Sequence, residues 1–230
     1  MKNPVIVALD VDDVARAASL VKILQPHVGG FKIGPRLTFR ADRAFIKDLS
    51  QAGVLFFDHK FFDIPSTTVA AVEVAAEMGA HWVTVHGLNG PECLKELSVL
   101  EKKIRRQIES FRVLAVTVLT SFNSQTLPPI WREETIAKSV ERLAESAQTS
   151  GLSSFVCSPD EVSILRNKYS ESFLVVPGVR PDGTDHHDQK RVTTPRIALE
   201  RGASALVIGR PITESADPAK ASRAIAESLK

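Results

Sequence analysis

The chain has 230 residues, with 29 Lys or Arg against 27 Asp or Glu, so its formal charge is only +2. This balance and a hydrophobic content of 43% exclude a disordered chain and give no sign of a nucleic-acid surface. No apolar run reaches membrane-spanning length, no room for a cleaved leader lies before Pro4, and Cys93 and Cys157 lack a disulfide framework, so we expect a cytoplasmic protein without membrane partners.

Short β-rich runs recur along the chain and predict eight strands. The runs are Val5 to Leu9, Gly30 to Ile33, Val54 to Phe57, Trp82 to Val85, Val113 to Leu119, Ser154 to Val156, Phe173 to Val176 and Ala205 to Ile208. Apolar stripes at three-and-four spacing lie between them and predict helices. This alternation predicts a parallel sheet covered on both faces, closed as a single-domain (β/α)₈ barrel over residues 1–230. An open doubly wound sheet is less favoured, because no Gly-x-Gly-x-x-Gly turn follows the first strand.

A barrel of this kind brings the carboxyl ends of all its strands to one mouth. Polar residues at those ends therefore converge even when they are far apart in the sequence. They are Asp10 at the end of strand 1, Lys32 within strand 2, Asp58 and Lys60 at the end of strand 3, His86 at the end of strand 4, Thr120 and Ser121 at the end of strand 5, and Gly209 and Arg210 at the end of strand 8. The charges over strands 1 to 3 alternate in sign, which predicts an ionic site.

The segment that begins at Asp58 is the strongest sign of this site. Three charged groups leave a buried strand here, and burying charge is costly unless each group is paired or used. Asp58 and Lys60 are two residues apart along a strand, so we expect them to share a face. Asp63 falls in the loop that starts the next helix.

Several of these residues also have a purely structural interpretation. Asp10 alone fits a helix cap, and His86 alone fits a hydrogen-bonded core histidine. Lys32 is harder to explain in this way, because a closed barrel has no edge from which a strand lysine reaches solvent.

Two segments late in the chain have the features of an anion site. Gly209 lets backbone N–H groups approach a ligand, and Arg210 offers a fork of donors where barrels commonly hold phosphate. The polar run from Gly178 to Arg191 is too long for an ordinary connection and predicts a lid. Its histidines and aspartates at 185–188 favour a solvated loop over a metal site.

The segment Asp58-x-Lys60-x-x-Asp63-Ile64-Pro65-x-Thr67 resembles the signature of the orotidine 5′-monophosphate decarboxylase family. Further blocks resemble that family in the same order over nearly the whole chain. They are Val7-Ala8-Leu9-Asp10, Phe31-Lys32-Ile33-Gly34, Val118-Leu119-Thr120-Ser121, Pro177-Gly178-Val179-Arg180-Pro181, Asp188-Gln189 and Val207-Ile208-Gly209-Arg210-Pro211. The departures, at His59, Phe62 and Ser66, occupy variable positions of the signature.

The resemblance implies a homodimer of (β/α)₈ barrels that converts orotidine 5′-monophosphate to uridine 5′-monophosphate and carbon dioxide, with no metal or other cofactor. It implies that Lys60 is the proton donor, that Asp58 faces the departing carboxylate, and that Lys32 and Asp63 complete the catalytic set. Asp63, Ile64 and Thr67 would then reach into the partner subunit's site. The implied substrate contacts are Asp10 and Lys32 to ribose, Thr120 to the pyrimidine, Gln189 to base and phosphate, and Arg180, Gly209 and Arg210 to phosphate.

Two other functions are compatible with the same residues. A magnesium-dependent sugar-phosphate decarboxylase or aldolase shares the Asp-x-Lys-x-x-Asp core on the same barrel. A non-catalytic barrel that binds a nucleotide phosphate is the alternative from a different class. This binder is less favoured, because it has no use for an aspartate that faces a substrate carboxylate.

Overall fold

The computed structural model describes residues 3–129, 134–181 and 193–229. Within these ranges, parallel strands pair in sequence order and close into a barrel, with β8 returning to β1. The strands are β1 (Val5–Ala8), β2 (Gly30–Ile33), β3 (Val54–Phe61), β4 (Trp82–His86), β5 (Arg112–Val116), β6 (Ser154–Val156), β7 (Phe173–Val176) and β8 (Ala205–Ile208). The predicted (β/α)₈ barrel is confirmed, and the open doubly wound sheet is wrong.

Helices alternate with these strands and cover the outside of the barrel. The described ones are α1 (Val14–Leu24), α2 (Pro35–Thr38), α3 (Arg43–Gln51), α4 (Pro65–Glu77), α5 (Gly90–Arg105), α6 (Ile136–Thr149), α7 (Val162–Lys168), α8 (Pro195–Glu200), α9 (Arg210–Thr213) and α10 (Pro218–Ser228), with a 3₁₀ helix at Gly87–Asn89. Side-chain caps fix where several of these helices begin. The Asp13 carboxylate accepts a hydrogen bond from the Ala15 N–H before α1, and the Asp42 carboxylate accepts one from the Phe45 N–H before α3. None of the described helices is both long and apolar enough to cross a bilayer.

The strands separate two apolar cores. Along β1, Val5 and Val7 pack with the helices, whereas Ile6 and Ala8 pack inside the barrel. The inner core consists of Ile6, Ala8, Phe56, Trp82, Leu114, Val175, Ala205 and Val207. Lys32 pairs in register with two residues of this inner set, Ala8 on one side and Phe56 on the other, so its side chain points inward. The barrel thus directs a charged group into its own interior.

β3 continues beyond its predicted end at Phe57. It extends to Phe61, because Phe61 pairs with Val85 of β4 after an irregularity in the register. Asp58 and Lys60, which were expected at the end of strand 3, therefore lie among the last four residues of β3. Pairing with the neighbouring strand, rather than the length of the apolar run, decides where the strand ends.

β5, in contrast, is shorter than predicted. It ends at Val116 and not at Leu119, because its neighbour β6 ends at Val156, the partner of Val116. Thr120 therefore lies in the loop that follows the strand and not directly at its end. This loop still returns Thr120 to the mouth of the barrel.

Candidate active site

Asp10, Lys32, Asp58 and Lys60 form a continuous chain of ion pairs at the carboxyl end of the barrel. Lys32 Nζ lies 3.0 Å from Asp10 Oδ1 and 3.2 Å from Asp58 Oδ2. Lys60 Nζ lies 2.7 Å from Asp58 Oδ1, which completes the alternation of charge from β1 to β3. The structure thus brings these predicted site residues together, while their catalytic roles remain predictions.

The ion pairs keep the buried members of this chain charged. Burial alone would raise the pKa of Asp58, but Lys32 and Lys60 outweigh burial and hold that pKa well below its usual range. Burial would likewise lower the pKa of Lys32, but Asp58 and Asp10 outweigh it and raise the pKa instead. The site therefore holds fixed charges of known sign, which is what electrostatic catalysis requires.

A β-bulge in β3 positions Asp58 and Lys60. Three residues of β3, the segment 58–60, lie opposite the single residue Thr84 of β4. Lys60 has a φ of +51°, the only positive value outside glycine in the part of the chain that the structure describes. The two side chains do meet, but through this bulge and not through regular strand alternation. The pairs that flank the bulge are Phe57 with Val83 and Phe61 with Val85.

A cavity of about 800 Å³ opens at this mouth and borders the chain of ion pairs. Its volume is typical of sites that bind small molecules. The predicted site residues that line it are Asp10, Lys32, Asp58, Lys60, Thr120, Arg180, Gly209 and Arg210. Apolar residues, Phe56, Val116, Val118, Val156 and Val207 among them, form part of its wall. The cavity therefore offers both charged and apolar surfaces to one ligand.

Arg180 and Arg210 form a second charged region of this cavity. Arg180 follows β7 and is only 8% exposed, and its Nη1 donates to the carbonyl oxygen of Val179 at 3.1 Å. Its Nε is buried and has no hydrogen-bond partner within residues 3–129, 134–181 and 193–229. Burial lowers the pKa of Arg180, and the nearby charge of Arg210 lowers it further. Two guanidinium groups in this arrangement favour an anion as their ligand.

Asp63, Ile64 and Thr67 do not line the cavity of their own chain. All three are exposed, in the segment that leads from β3 into the first turn of α4. The backbone N–H of Asp63 donates to Thr68 Oγ1 at 3.2 Å, which ties this segment to the helix. Their contribution to a partner subunit's site remains a prediction. Gln189, which was predicted to bridge base and phosphate, lies outside the described residues.

His86 and Ser121 were expected at the mouth but do not line the cavity. His86 Nδ1 accepts a hydrogen bond from the Leu88 N–H at 3.2 Å and caps the 3₁₀ helix. Burial lowers the pKa of His86, and the charge of Lys60 lowers it further. These contacts fit the structural interpretation of this histidine.

Two residues near the ion pairs had no assigned role in the sequence. Arg36 lines the cavity and donates to the carbonyl oxygen of Asp10 at 3.2 Å. Thr84 contacts Asp58 and Lys60 from β4. The available signal for Thr84 was a polar residue inside an otherwise apolar strand, which alone does not distinguish a site residue from a core residue.

Among the described residues, no three His, Cys, Asp or Glu side chains are arranged to share a metal ion. The predicted loop segment 185–188 lies outside those residues. The two acidic side chains of the ion-pair chain, Asp10 and Asp58, are each paired with the ammonium group of Lys32.

The fold and the site together define a (β/α)₈-barrel enzyme for an anionic substrate. Barrel enzymes place their active sites at the carboxyl ends of the strands, where the ion pairs of this chain lie. The arginine pair lines the same cavity, so one ligand can contact both charged regions.

The model of the Orotidine 5'-phosphate decarboxylase / HUMPS family matches residues 3–225, and the chain belongs to this family. A Dichelobacter nodosus protein named orotidine 5'-phosphate decarboxylase is 41% identical over 99% of both chains. One from Haemophilus influenzae is 39% identical over 100% of both chains. The crystal structure of orotidine 5'-phosphate decarboxylase from Lactobacillus acidophilus matches with a TM-score of 0.85 and 33% identity, covering 99% of both chains. The family resemblance predicted from the sequence is confirmed.

Proposed function

We propose that this chain decarboxylates orotidine 5′-monophosphate to uridine 5′-monophosphate, the last step of de novo pyrimidine nucleotide synthesis. The observation that carries the proposal is Asp58, held ionised between Lys32 and Lys60 at the edge of the cavity. Relatives at about 40% identity over the whole chain carry the name of this enzyme, which supports the same reaction here.

The reaction needs fixed charges because the pyrimidine offers no electron sink. When carbon dioxide leaves C6, the bonding electron pair stays in the plane of the ring, where the π system does not delocalise it. An ammonium group beside C6 stabilises that pair and then transfers a proton to it. Lys60 suits this role, because its Nζ lies at the edge of the cavity and is held by Asp58 Oδ1 at 2.7 Å.

Asp58 contributes by its position against the substrate carboxylate. Two like charges ~4 Å apart repel by ~4 kcal/mol at an effective dielectric constant of about 20. This repulsion disappears as the carboxylate becomes neutral carbon dioxide, so it favours the transition state over the bound substrate. The depressed pKa of Asp58 keeps the carboxylate charged for this purpose.

The arginine pair is the candidate phosphate site of the same cavity. Arg180 has a buried Nε that lacks a partner in the described residues, and a phosphate oxygen would satisfy it. Gly209 and Arg210 line the same region, and Gln189 is proposed to bridge phosphate and base. Thr120, which also lines the cavity, is proposed to bind the pyrimidine, and Asp10 with Lys32 the ribose.

We further propose that the protein acts as a homodimer in which Asp63, Ile64 and Thr67 enter the partner's site. The support is that all three are exposed and do not line the cavity of their own chain. Ile64 is 65% exposed and its neighbour Phe62 is 61% exposed, an apolar pair suited to burial against another subunit. Cys93 and Cys157 are both buried and form no disulfide, which is consistent with the expected cytoplasmic location.

A spectrophotometric assay tests the reaction. Purified protein should convert orotidine 5′-monophosphate at the same rate with and without EDTA, and the fall in pyrimidine absorbance measures that rate. Loss of activity in EDTA that magnesium restores would instead favour the sugar-phosphate decarboxylase or aldolase. Tight binding of uridine 5′-monophosphate without any turnover of the substrate would favour a non-catalytic binding protein.

A further inference from the structure

We propose that Thr84 is a positioning residue that holds Asp58 and Lys60 in their reactive arrangement. Thr84 lies in the middle of β4, is 0% exposed and does not line the cavity. Its hydroxyl group nevertheless contacts both members of the pair. The catalytic part of this inference rests on the proposed function, whereas its structural part is independent of it.

The hydroxyl group of Thr84 is bound on two sides. It accepts a hydrogen bond from the backbone N–H of Lys60 at 2.9 Å and donates to Asp58 Oδ1 at 3.1 Å. The carbonyl oxygen of Phe57 is a second acceptor at 3.4 Å. A hydroxyl group has one hydrogen, and the shorter distance and negative charge of Asp58 favour donation to the carboxylate. Thr84 thereby joins the backbone of one catalytic residue to the side chain of the other.

The β-bulge creates the need for such a group. Three residues of β3 lie opposite Thr84 alone, so regular ladder pairing is interrupted at this point. The Thr84 side chain provides the acceptor for the Lys60 N–H, and a buried N–H without an acceptor is strongly unfavourable. The φ of +51° at Lys60 is also unfavourable, so it persists only where surrounding contacts fix it.

The same contacts set the direction of the Lys60 ammonium group. Asp58 Oδ1, to which Thr84 donates, is also the oxygen that accepts from Lys60 Nζ at 2.7 Å. Loss of the hydroxyl group lets the carboxylate rotate and the Lys60 backbone relax, which displaces the ammonium group from the reacting carbon. Because the proposed phosphate site lies elsewhere in the cavity, this displacement acts on the chemical step more than on binding.

Two variants of Thr84 and one control separate this role from a general loss of packing. Thr84→Val removes the hydroxyl group with little change of shape, whereas Thr84→Ser retains it. Thr117→Val is the matched control, since Thr117 is 1% exposed and its hydroxyl group donates to the Val156 carbonyl oxygen at 2.9 Å. We expect Thr84→Val to lower kcat about 100-fold with KM changed by less than about 3-fold. Thr84→Ser and Thr117→Val should keep kcat within about 5-fold of wild type.

The proposal is overturned if Thr84→Val keeps the wild-type kcat, or if Thr84→Ser or Thr117→Val loses as much as Thr84→Val. A crystal structure of Thr84→Val reports independently of turnover. An unchanged Lys60 φ near +51° together with an intact Lys60–Asp58 contact would also overturn the proposal. If the wild-type protein does not turn over its substrate, the proposed function fails and the crystal structure alone decides the role of Thr84. If Thr84→Val does not fold, Thr84→Ala replaces it with the same outcomes.

Discussion

Lys60 combines two unusual properties in one residue. Its backbone adopts a left-handed conformation, and its ammonium group lies against the carboxylate of Asp58. A residue with a side chain rarely adopts this φ, and strained backbone of this kind tends to occur at functional sites. The geometry of Lys60 is therefore better explained by the position that its ammonium group must occupy than by the stability of β3.

We expect Lys60→Ala to abolish product formation while the protein remains folded. The ammonium group is the proposed proton donor, and loss of general-acid catalysis and of its charge should lower kcat by at least about 100-fold. Lys103→Ala is a suitable control, because Lys103 pairs with Glu73 on the surface, with 68% of its side chain exposed. Substrate absorbance gives the rate, and circular dichroism checks the fold. Activity near the wild-type level would exclude Lys60 as the proton donor.

Residue type and position were enough to predict part of this site. Lys32, Asp58 and Lys60 are costly to bury, so their presence inside or at the end of predicted strands already indicated a cluster, and the structure has it. Thr84 was not predictable in this way. Threonine is common in strands, and its contacts depend on a bulge for which the sequence has no local signal.

At the scale of elements, the strand–helix alternation and the bounds of β2, β6, β7 and β8 were predictable, but the ends of β3 and β5 were not. Hydrophobic periodicity gives the existence and type of each element, because burial of an apolar face depends on it. The position at which a strand ends depends on how far the neighbouring strand continues to pair with it, as β3 and β5 both illustrate. The bulge in β3 depends on that pairing, and β3 continues through it past Phe57 to include Asp58 and Lys60.

The contact between α5 and β5 contains a buried carboxyl group away from the active site. Glu101 is 7% exposed, and burial raises its pKa to about 7 despite the nearby charges of Arg105 and Arg112. Because the folded pKa lies above the unfolded value of 4.5, the contribution of Glu101 to stability is fully present below that pH. It is lost as pH rises through about 7, where the buried carboxyl group must ionise.

Glu101→Gln should therefore stabilise the protein at pH 8 and have little effect at pH 5. The shift from 4.5 to about 7 corresponds to ~3 kcal/mol as an upper bound at pH 8. The glutamine keeps a carbonyl oxygen for the hydrogen bond that the Val113 N–H donates to Glu101. Urea unfolding at both pH values measures the difference in the free energy of unfolding, and Glu96→Gln on the exposed face of α5 is the control. A Glu101→Gln protein that is less stable than wild type at pH 8 would contradict the prediction.

For the molecule as a whole, barrel closure explains how residues far apart in sequence reach one cavity. Asp10, Thr120 and Arg210 belong to the beginning, middle and end of the chain, yet all three line the cavity. Closure does not bring Asp63 there, although Asp63 is only three residues beyond Lys60. The proposed reason for this difference is that Asp63 enters the site of another subunit.

A subunit-mixing experiment tests directly whether Asp63 enters the site of the partner subunit. Lys60→Ala and Asp63→Ala should each be inactive alone, since each proposed site needs Lys60 from one subunit and Asp63 from the other. In a mixed dimer, one site combines the intact Lys60 of one subunit with the intact Asp63 of its partner. Random exchange at equal concentrations makes half of the dimers mixed and restores one of their two sites, so about a quarter of the wild-type activity should return.

The matched control is a mixture of Lys60→Ala with Asp58→Ala. Asp58 and Lys60 contact each other within one chain, so no mixed dimer rebuilds an intact site and no activity should return. Native mass spectrometry of differently tagged subunits establishes that exchange has occurred in both mixtures. Recovery in the first mixture alone means that Asp63 acts across the interface. Absence of recovery despite verified exchange would mean that Asp63 serves its own chain, and the proposed shared site would have to be abandoned.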